Sequence, residues 1–343
     1  MAKVWRLFPG SNTAHGFVGF FQDLRLHADR TVILKGGPGV GKSTLMREVG
    51  RHYERLGMDV GYYFCSGDPD SLDAVFAPGA GFLVMDGTAP HIVDPVLPGA
   101  GDGILNLGVC LEEQQLQAQR GEIETLSKEI SRCYAQAYRY LRAALSVRED
   151  AAAVYDQAMP EREKRMLQRE LMAHLPCGAP GRDSHAFMQA ITWKGVLQQT
   201  DALESGQAVC LDVPWGFDAD ALLRPVWEEA GWRGIRRSAY HDPLNAGALA
   251  HAAVGDTVFT TAVLLDARVL SPSLDAGALR RESGRLAFDR AACQLLTGQA
   301  VEALSQAKEK HDALERYYID AMDYPRLEEI RRGFLKALPL HSA

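Results

Sequence analysis

The sequence predicts an α/β fold built on a parallel sheet and present twice in the chain. Three observations lead there. Short apolar runs alternate with helix-length stretches over the first hundred residues; a glycine-rich string joins one such run to a helix; and the stretch from Ala208 onward shadows the stretch from Thr31. A chain of 343 residues, 47% of them hydrophobic, can bury a large core and suggests about two domains.

Taken in order, strands are expected at 3–8, 31–35, 59–64 and 81–86, with turn signals at Gly57 and Gly67-Asp68-Pro69 between them. Such an alternation implies a parallel sheet with a ligand at the carboxyl ends of its strands. From Glu112 to about Arg148 there is no Pro, and apolar or small residues recur at 116, 123, 126, 130, 133, 137 and 140, a heptad spacing. The expected helix would extend roughly 50 Å. Met159-Pro160 is expected to end its partner helix, before a charged helix from Glu161 to Leu171. Leu304, Ala307, His311, Leu314 and Tyr318 repeat the spacing later. Each α/β section is thus expected to carry a long helical hairpin, the hairpins packing on each other. The implied boundaries are 1–109, 110–172, 173–268 and 269–343.

The repeat is read at two offsets. Val209-Cys210-Leu211 matches Val32-Ile33-Leu34, Gly216 matches Gly39 and Leu222 matches Leu45 at 177. With three residues lost from the helix, Trp227 matches Tyr53, Gly231 matches Gly57, Asp242-Pro243 matches Asp68-Pro69, and Thr257-Val258-Phe259 matches Leu83-Val84-Met85 at 174; Tyr318 and Met322 then echo Tyr155 and Met159.

The glycine-rich string is Gly36-Gly37-Pro38-Gly39-Val40-Gly41-Lys42-Ser43, a complete G-x-x-x-x-G-K-[ST] pattern that follows the strand Thr31–Leu34 and opens the helical stretch from Leu45. This is a phosphate-binding loop: glycines let backbone N–H groups turn inward, and the helix N-terminus faces the anion. Lys42 would sit on the β and γ phosphates of a nucleotide, the Ser43 hydroxyl would take a Mg²⁺ position, and Thr44 would reach the α phosphate. Gly81–Asp86 is an apolar strand ending in a carboxylate, the arrangement that holds the water shell of Mg²⁺. It continues Gly87-Thr88-Ala89-Pro90-His91, in which Thr88 is placed to sense the γ phosphate and His91 to polarise water or a substrate.

The duplication acts as an internal control. Asp218, Ala219 and Asp220 stand opposite Gly41, Lys42 and Ser43, so the second loop is expected to repel phosphate, and Thr260 stands opposite Asp86. The paired Asp68 and Asp242 read as turn residues; Asp70 and Asp73 have no acidic partners in the second half. Gly87, not a glutamate, follows Asp86, and no N-K-x-D string is present to read guanine, which leaves ATP as the expected nucleotide.

A net charge of −7 argues against a nucleic-acid-binding surface. The six cysteines lie far apart with no C-x-x-C pair, which suggests neither a disulfide framework nor a zinc site. The first residues contain no apolar leader core, and no stretch approaches 18 apolar residues, so a cytoplasmic protein without a membrane partner is expected.

The strings Lys35 to Ser43, Cys65 to Asp73 and Asp86 to His91 resemble a family of bacterial P-loop ATPases of undetermined physiological role, built as two fused P-loop halves. The resemblance covers most of the chain and implies ATP binding by the motif-bearing half. This sequence departs from that family in its second loop. Three readings follow: an ATPase whose nucleotide state moves its helical hairpins or an unidentified protein or small-molecule partner; a small-molecule or nucleotide kinase with Arg162, Arg165 and Arg169 on a helical lid; and a nucleotide-gated binding module with negligible turnover. The arginine row reads more simply as a solvated face, because Glu161, Glu163 and Glu170 interleave with it.

Overall fold

A computed structural model describes residues 2–178, 180–201, 207–262, 264 and 267–340. The first half runs β1 (Val4–Leu7), β2 (Gly10–Thr13), β3 (Gly16–Gly19), α1 (Phe21–Arg25), β4 (Arg30–Lys35), α2 (Lys42–Arg55), β5 (Val60–Phe64), β6 (Leu72–Ala77), β7 (Phe82–Asp86) and β8 (Asp102–Asn106). The helices α3 (Glu113–Ala118), α4 (Arg120–Ala158) and α5 (Glu161–Ala173) complete it. The second half repeats this order as β9 (Ser184–Ala186), β10 (Gln189–Thr192), β11 (Gly195–Gln198), β12 (Gln207–Leu211), α6 (Asp220–Trp232), β13 (Arg237–His241), β14 (Leu249–Val254), β15 (Thr257–Thr260), β16 (Arg268–Leu270), α7 (Ala276–Arg281), α8 (Ser283–Asp320) and α9 (Tyr324–Lys336).

The two six-stranded sheets have the same order, β1-β5-β6-β7-β4-β8 and β9-β13-β14-β15-β12-β16, so the chain consists of two copies of one mixed α/β unit. Neither sheet is purely parallel, which corrects the expectation. β6 and β14 run antiparallel to both neighbours. Their connections, Cys65–Ser71 before β6 and Pro78–Gly81 after it, are too short for the crossover that a parallel neighbour needs.

Sheet register also revises the alignment of the halves. Phe64 pairs with Leu72 after a bulge just as His241 pairs with Leu249, so the offset of 177 persists there. Gly57 and Gly234 both adopt positive φ at the end of the preceding helix, at +74° and +69°. Gly57 therefore matches Gly234, not Gly231, and by the same offset Tyr53 falls opposite Ala230, not Trp227. Likewise Asp68 matches Asn245, and Asp242 matches Cys65. The helix loses nothing; the shortening falls in the turn after β6, where Gly255-Asp256 replaces Pro78–Gly81. Asp86 then lies opposite Thr261, with Thr260 opposite Met85.

No hairpin of long helices forms within either half. α4 continues unbroken through the stretch expected to turn back, and at 1.5 Å per residue its 39 residues span about 58 Å. Its partner is α8 of the other half. The pair is antiparallel, tied by Arg285 to Asp150 and by Lys310 to Glu129, around Ala137, Leu141, Ala144, Leu145, Ala300, Ala303 and Leu304. Alanine on both helices permits the close approach.

Beyond this pair the halves exchange their last helices. Leu167 and Leu171 of α5 enter the core formed by α6, β12 and β15, whereas Leu327, Phe334 and Leu338 in and after α9 enter the core formed by α2, β4 and β7. A further apolar layer joins the sheets directly, with Ile33, Leu83 and Met85 packed together with Met188, Tyr240 and Val258. Phe8 and Phe187 exchange two backbone hydrogen bonds of 2.9 Å at the centre. All six cysteines are free, and among the described residues no helix is long and apolar enough to cross a membrane.

Residues 1–172 expressed alone would therefore expose both the α9-binding surface and the inter-sheet layer. At about 25 cal/mol per Å² such exposure is strongly unfavourable, and size-exclusion chromatography with light scattering should show aggregation or self-association; a monomer with full stability would refute the shared core. Two buried histidines set a pH dependence. His241 and His251 are pushed down to about 4, chiefly by burial. Because the folded value lies below the unfolded 6.5, this stability is present above pH 6.5 and is lost as pH falls toward 4. Urea titrations should show a loss of about 2 kcal/mol per histidine between pH 7 and 5, and His251→Gln should remove about half of that slope.

Candidate functional site

The glycines of the Gly36–Ser43 string adopt conformations that side-chain-bearing residues avoid: φ is +143° at Gly36, +73° at Gly39 and +84° at Gly41, which stands at the N-terminus of α2. Val40 is fully buried and anchors the loop in the core. Lys42, 8% exposed, donates from Nζ to the carbonyl oxygens of Gly36 at 3.1 Å and Gly37 at 2.8 Å. Its Nζ also lies 3.5 Å from Asp86 Oδ2. This proximity follows from topology, because β4, which delivers the loop, is hydrogen-bonded directly to β7, which delivers Asp86. Ser43 Oγ accepts the backbone N–H of Leu72 at 3.0 Å and so ties the loop to the start of β6. Thr44 and Pro38 complete the string at its outer side, where Thr44 is exposed.

Asp86 Oδ1 accepts both the N–H and the hydroxyl of Thr88, at 2.9 and 2.7 Å. Thr88 thus stands in the site, but its hydroxyl restrains the carboxylate. His91 is stacked on Phe21 at 4.4 Å, and its Nε2 lies 3.8 Å from Asp73 Oδ1. Asp73 is 3% exposed. Burial pushes its carboxyl up to about 6 against the pull of His91, with the charge of Asp86 adding to the rise. The Cys65 thiol beside it is also pushed up, by burial and by Asp73. Asp70 is not part of this cluster; its carboxylate is held by Lys194 of the second half at 2.6 Å.

Sequence patterns did not place α8 at the loop. A Cβ on Gly37 would meet the ring of Tyr318 at 2.5 Å, and one on Gly39 would meet Glu315 and Ile319 at 2.8 Å. The only legible trace of this contact is the helical spacing of these residues. On the same stretch of α8, His311, Asp312 and Glu315 offer ligand atoms within 4.8 Å of one another, and Lys308 pairs with Asp312.

The second loop is built on the same plan without the lysine. Gly216 repeats the positive φ of Gly39, at +86°. Asp220, opposite Ser43, accepts the N–H of Leu249 at 2.7 Å, the bond Ser43 makes with Leu72, and it also pairs with Arg224. Asp218 accepts the N–H of Asp220, and its carboxyl is raised by burial and by that neighbouring charge. Beside them lies a cavity of about 310 Å³ lined by Tyr155, Lys164, Phe217 and Asp218. The loop itself carries two carboxylates and no lysine, and Lys164 of α5 faces Asp218 across this cavity. Arg162, Arg165 and Arg169 are exposed on α5, which packs on α6, so they form a solvated face of the opposite half.

Among known proteins, no family model, no curated protein and no solved structure matches the chain.

Because Gly37 lies against Tyr318, Gly37→Ala should displace the end of α8. Hydrogen exchange of residues 315–320 should accelerate at least tenfold while residues 290–305 stay protected. Uniform exchange would disprove the contact.

Proposed function

We propose that the chain is a Mg²⁺-dependent ATPase with one nucleotide site, formed by Gly36 to Thr44 and bounded by α8 of the other half. The observation that carries this reading is the position of Lys42, folded onto its own loop carbonyls and 3.5 Å from Asp86. A cation and a carboxylate at a glycine-rich loop that opens the N-terminus of α2 match a triphosphate and the oxygen-loving metal that accompanies it. Lys42 leaves the loop carbonyls for the β and γ phosphates, and the N–H groups of the loop and α2 supply the remaining donors. Ser43 and Asp86 are the hard oxygen donors for Mg²⁺, with Thr88 fixing the Asp86 rotamer. Mg²⁺, when bound, supplies positive charge that offsets the charge developing on the transferred phosphoryl group.

Coupling to the helices has a local cause. Glu315 stands beside Gly39, so an arriving phosphate brings like charge against it. The end of α8 must respond, and α8 is packed along α4. A kinase would need an acceptor site near the loop; the arginine row suggested for it lies on α5, which packs against the second half. A gated module without turnover is the second reading, favoured by Gly87 standing where a water-orienting glutamate would follow Asp86.

Isothermal titration should give one ATP per chain, with at least a tenfold loss of affinity for Lys42→Ala. Asp86→Asn should leave affinity within a few-fold while lowering the single-turnover rate by about 10²–10³. A stoichiometry of two would overturn the silent second site, and phosphate release only with an added acceptor would replace the ATPase reading with the kinase one.

A further inference from the structure

We infer that Asp73 is the base that accepts the proton of the attacking water, with His91 as its positioning partner; the inference rests on the ATPase reading above. Position comes first. Ala74 pairs with Met85 across β6 and β7, so the preceding residue, Asp73, falls across from Asp86, while Leu72 is bonded to Ser43. Asp73 therefore lies beside Asp86 and one residue from the tie to Ser43, on the strand that sequence patterns did not reveal.

The second observation is an unmet polar requirement. Asp73 Oδ2 and both ring nitrogens of His91 are buried without a hydrogen-bond partner. The Asp73 and His91 side chains are only 5% and 7% exposed, and 3.8 Å separates Nε2 from Oδ1. Unpartnered buried groups cost folding free energy and persist where something else requires them. Here Asp73 and His91 face each other, and Asp73 lies across from Asp86. The internal copy supplies the third observation: it has Ala250 opposite Asp73, and so lost this carboxylate along with the lysine, although it kept the Ser43-type bond through Asp220.

The chemistry follows from the arrangement. Water oxygen attacks the γ phosphorus and forms the new P–O bond as the bond to the bridging oxygen breaks, its electron pair leaving with ADP. The water proton passes to Asp73 Oδ2 and afterwards to the released phosphate. His91, stacked on Phe21, steadies the opposite carboxylate oxygen. Asp73 thus supplies from a neighbouring strand what a glutamate after Asp86 would supply.

The test uses the full chain with Asp73→Asn and His91→Gln, reading ATP affinity, single-turnover hydrolysis at saturating ATP, and melting of the nucleotide-free protein. Asp73→Asn should keep affinity within about threefold, lose at least a hundredfold in single-turnover rate, and melt at the same or a higher temperature, because it replaces a buried carboxylate whose Oδ2 has no hydrogen-bond partner by a neutral group. His91→Gln should lose about tenfold in rate with little change in melting. Hydrolysis by Asp73→Asn within threefold of wild type would overturn the assignment. So would a loss of folding, or a fall in melting temperature matched by a fall in affinity, either of which marks a structural carboxylate. A wild-type protein that neither binds nor hydrolyses ATP would fail earlier, in the affinity measurement, and overturn the ATPase reading itself.

Discussion

The exchange of last helices between the halves is the constraint on which the rest of the structure depends. α9 covers the core beneath α2, and α5 covers the core beneath α6. Neither sheet-bearing unit closes its core from its own residues. The antiparallel α4–α8 contact follows from this, because each long helix must cross the molecule to deliver the short one behind it. The bare faces of the loop glycines follow as well. Without side chains, Gly37 and Gly39 leave room for Tyr318, Glu315 and Ile319.

The two loop regions differ in the partners of their polar groups. In the second loop Asp220 has a backbone N–H and an arginine, and Asp218 caps the start of α6. In the first, Lys42 rests on carbonyls of its own loop, and Asp73 and His91 leave three atoms without partners. The same loop, present twice, thus carries paired carboxylates in one copy and a lysine resting on its own carbonyls in the other.

Much of this was legible in the sequence. The strands near Val4, Thr31, Val60 and Phe82 announce themselves through apolar runs, and the loop from Gly36 to Ser43 through its spacing. Lys42 and Asp86 meet as that pattern implies, because their strands are neighbours. β6 was hidden for a physical reason: every position from Leu72 to Ala77 is buried, so no alternation marks it as a strand, and Asp73 interrupts its apolar run. The partner of α4 was hidden too. An amphipathic stripe states that a face is covered without stating by what, and Leu167 or Leu327 would fit either core by composition. The repeat was readable where strands match and misread where the turn after β6 loses residues.

The exchanged helices also set an order of events during synthesis. The loop and α2 leave the ribosome early, yet α9, which seals the core beneath them, is made about 270 residues later. At about 5–20 residues per second that delay is roughly a quarter of a minute to a minute. Throughout it, Tyr53, Val84 and their neighbours lack Leu327 and Phe334 as cover. The half that carries the glycine-rich loop is the first to be translated, but its core can close only after the second half has been made.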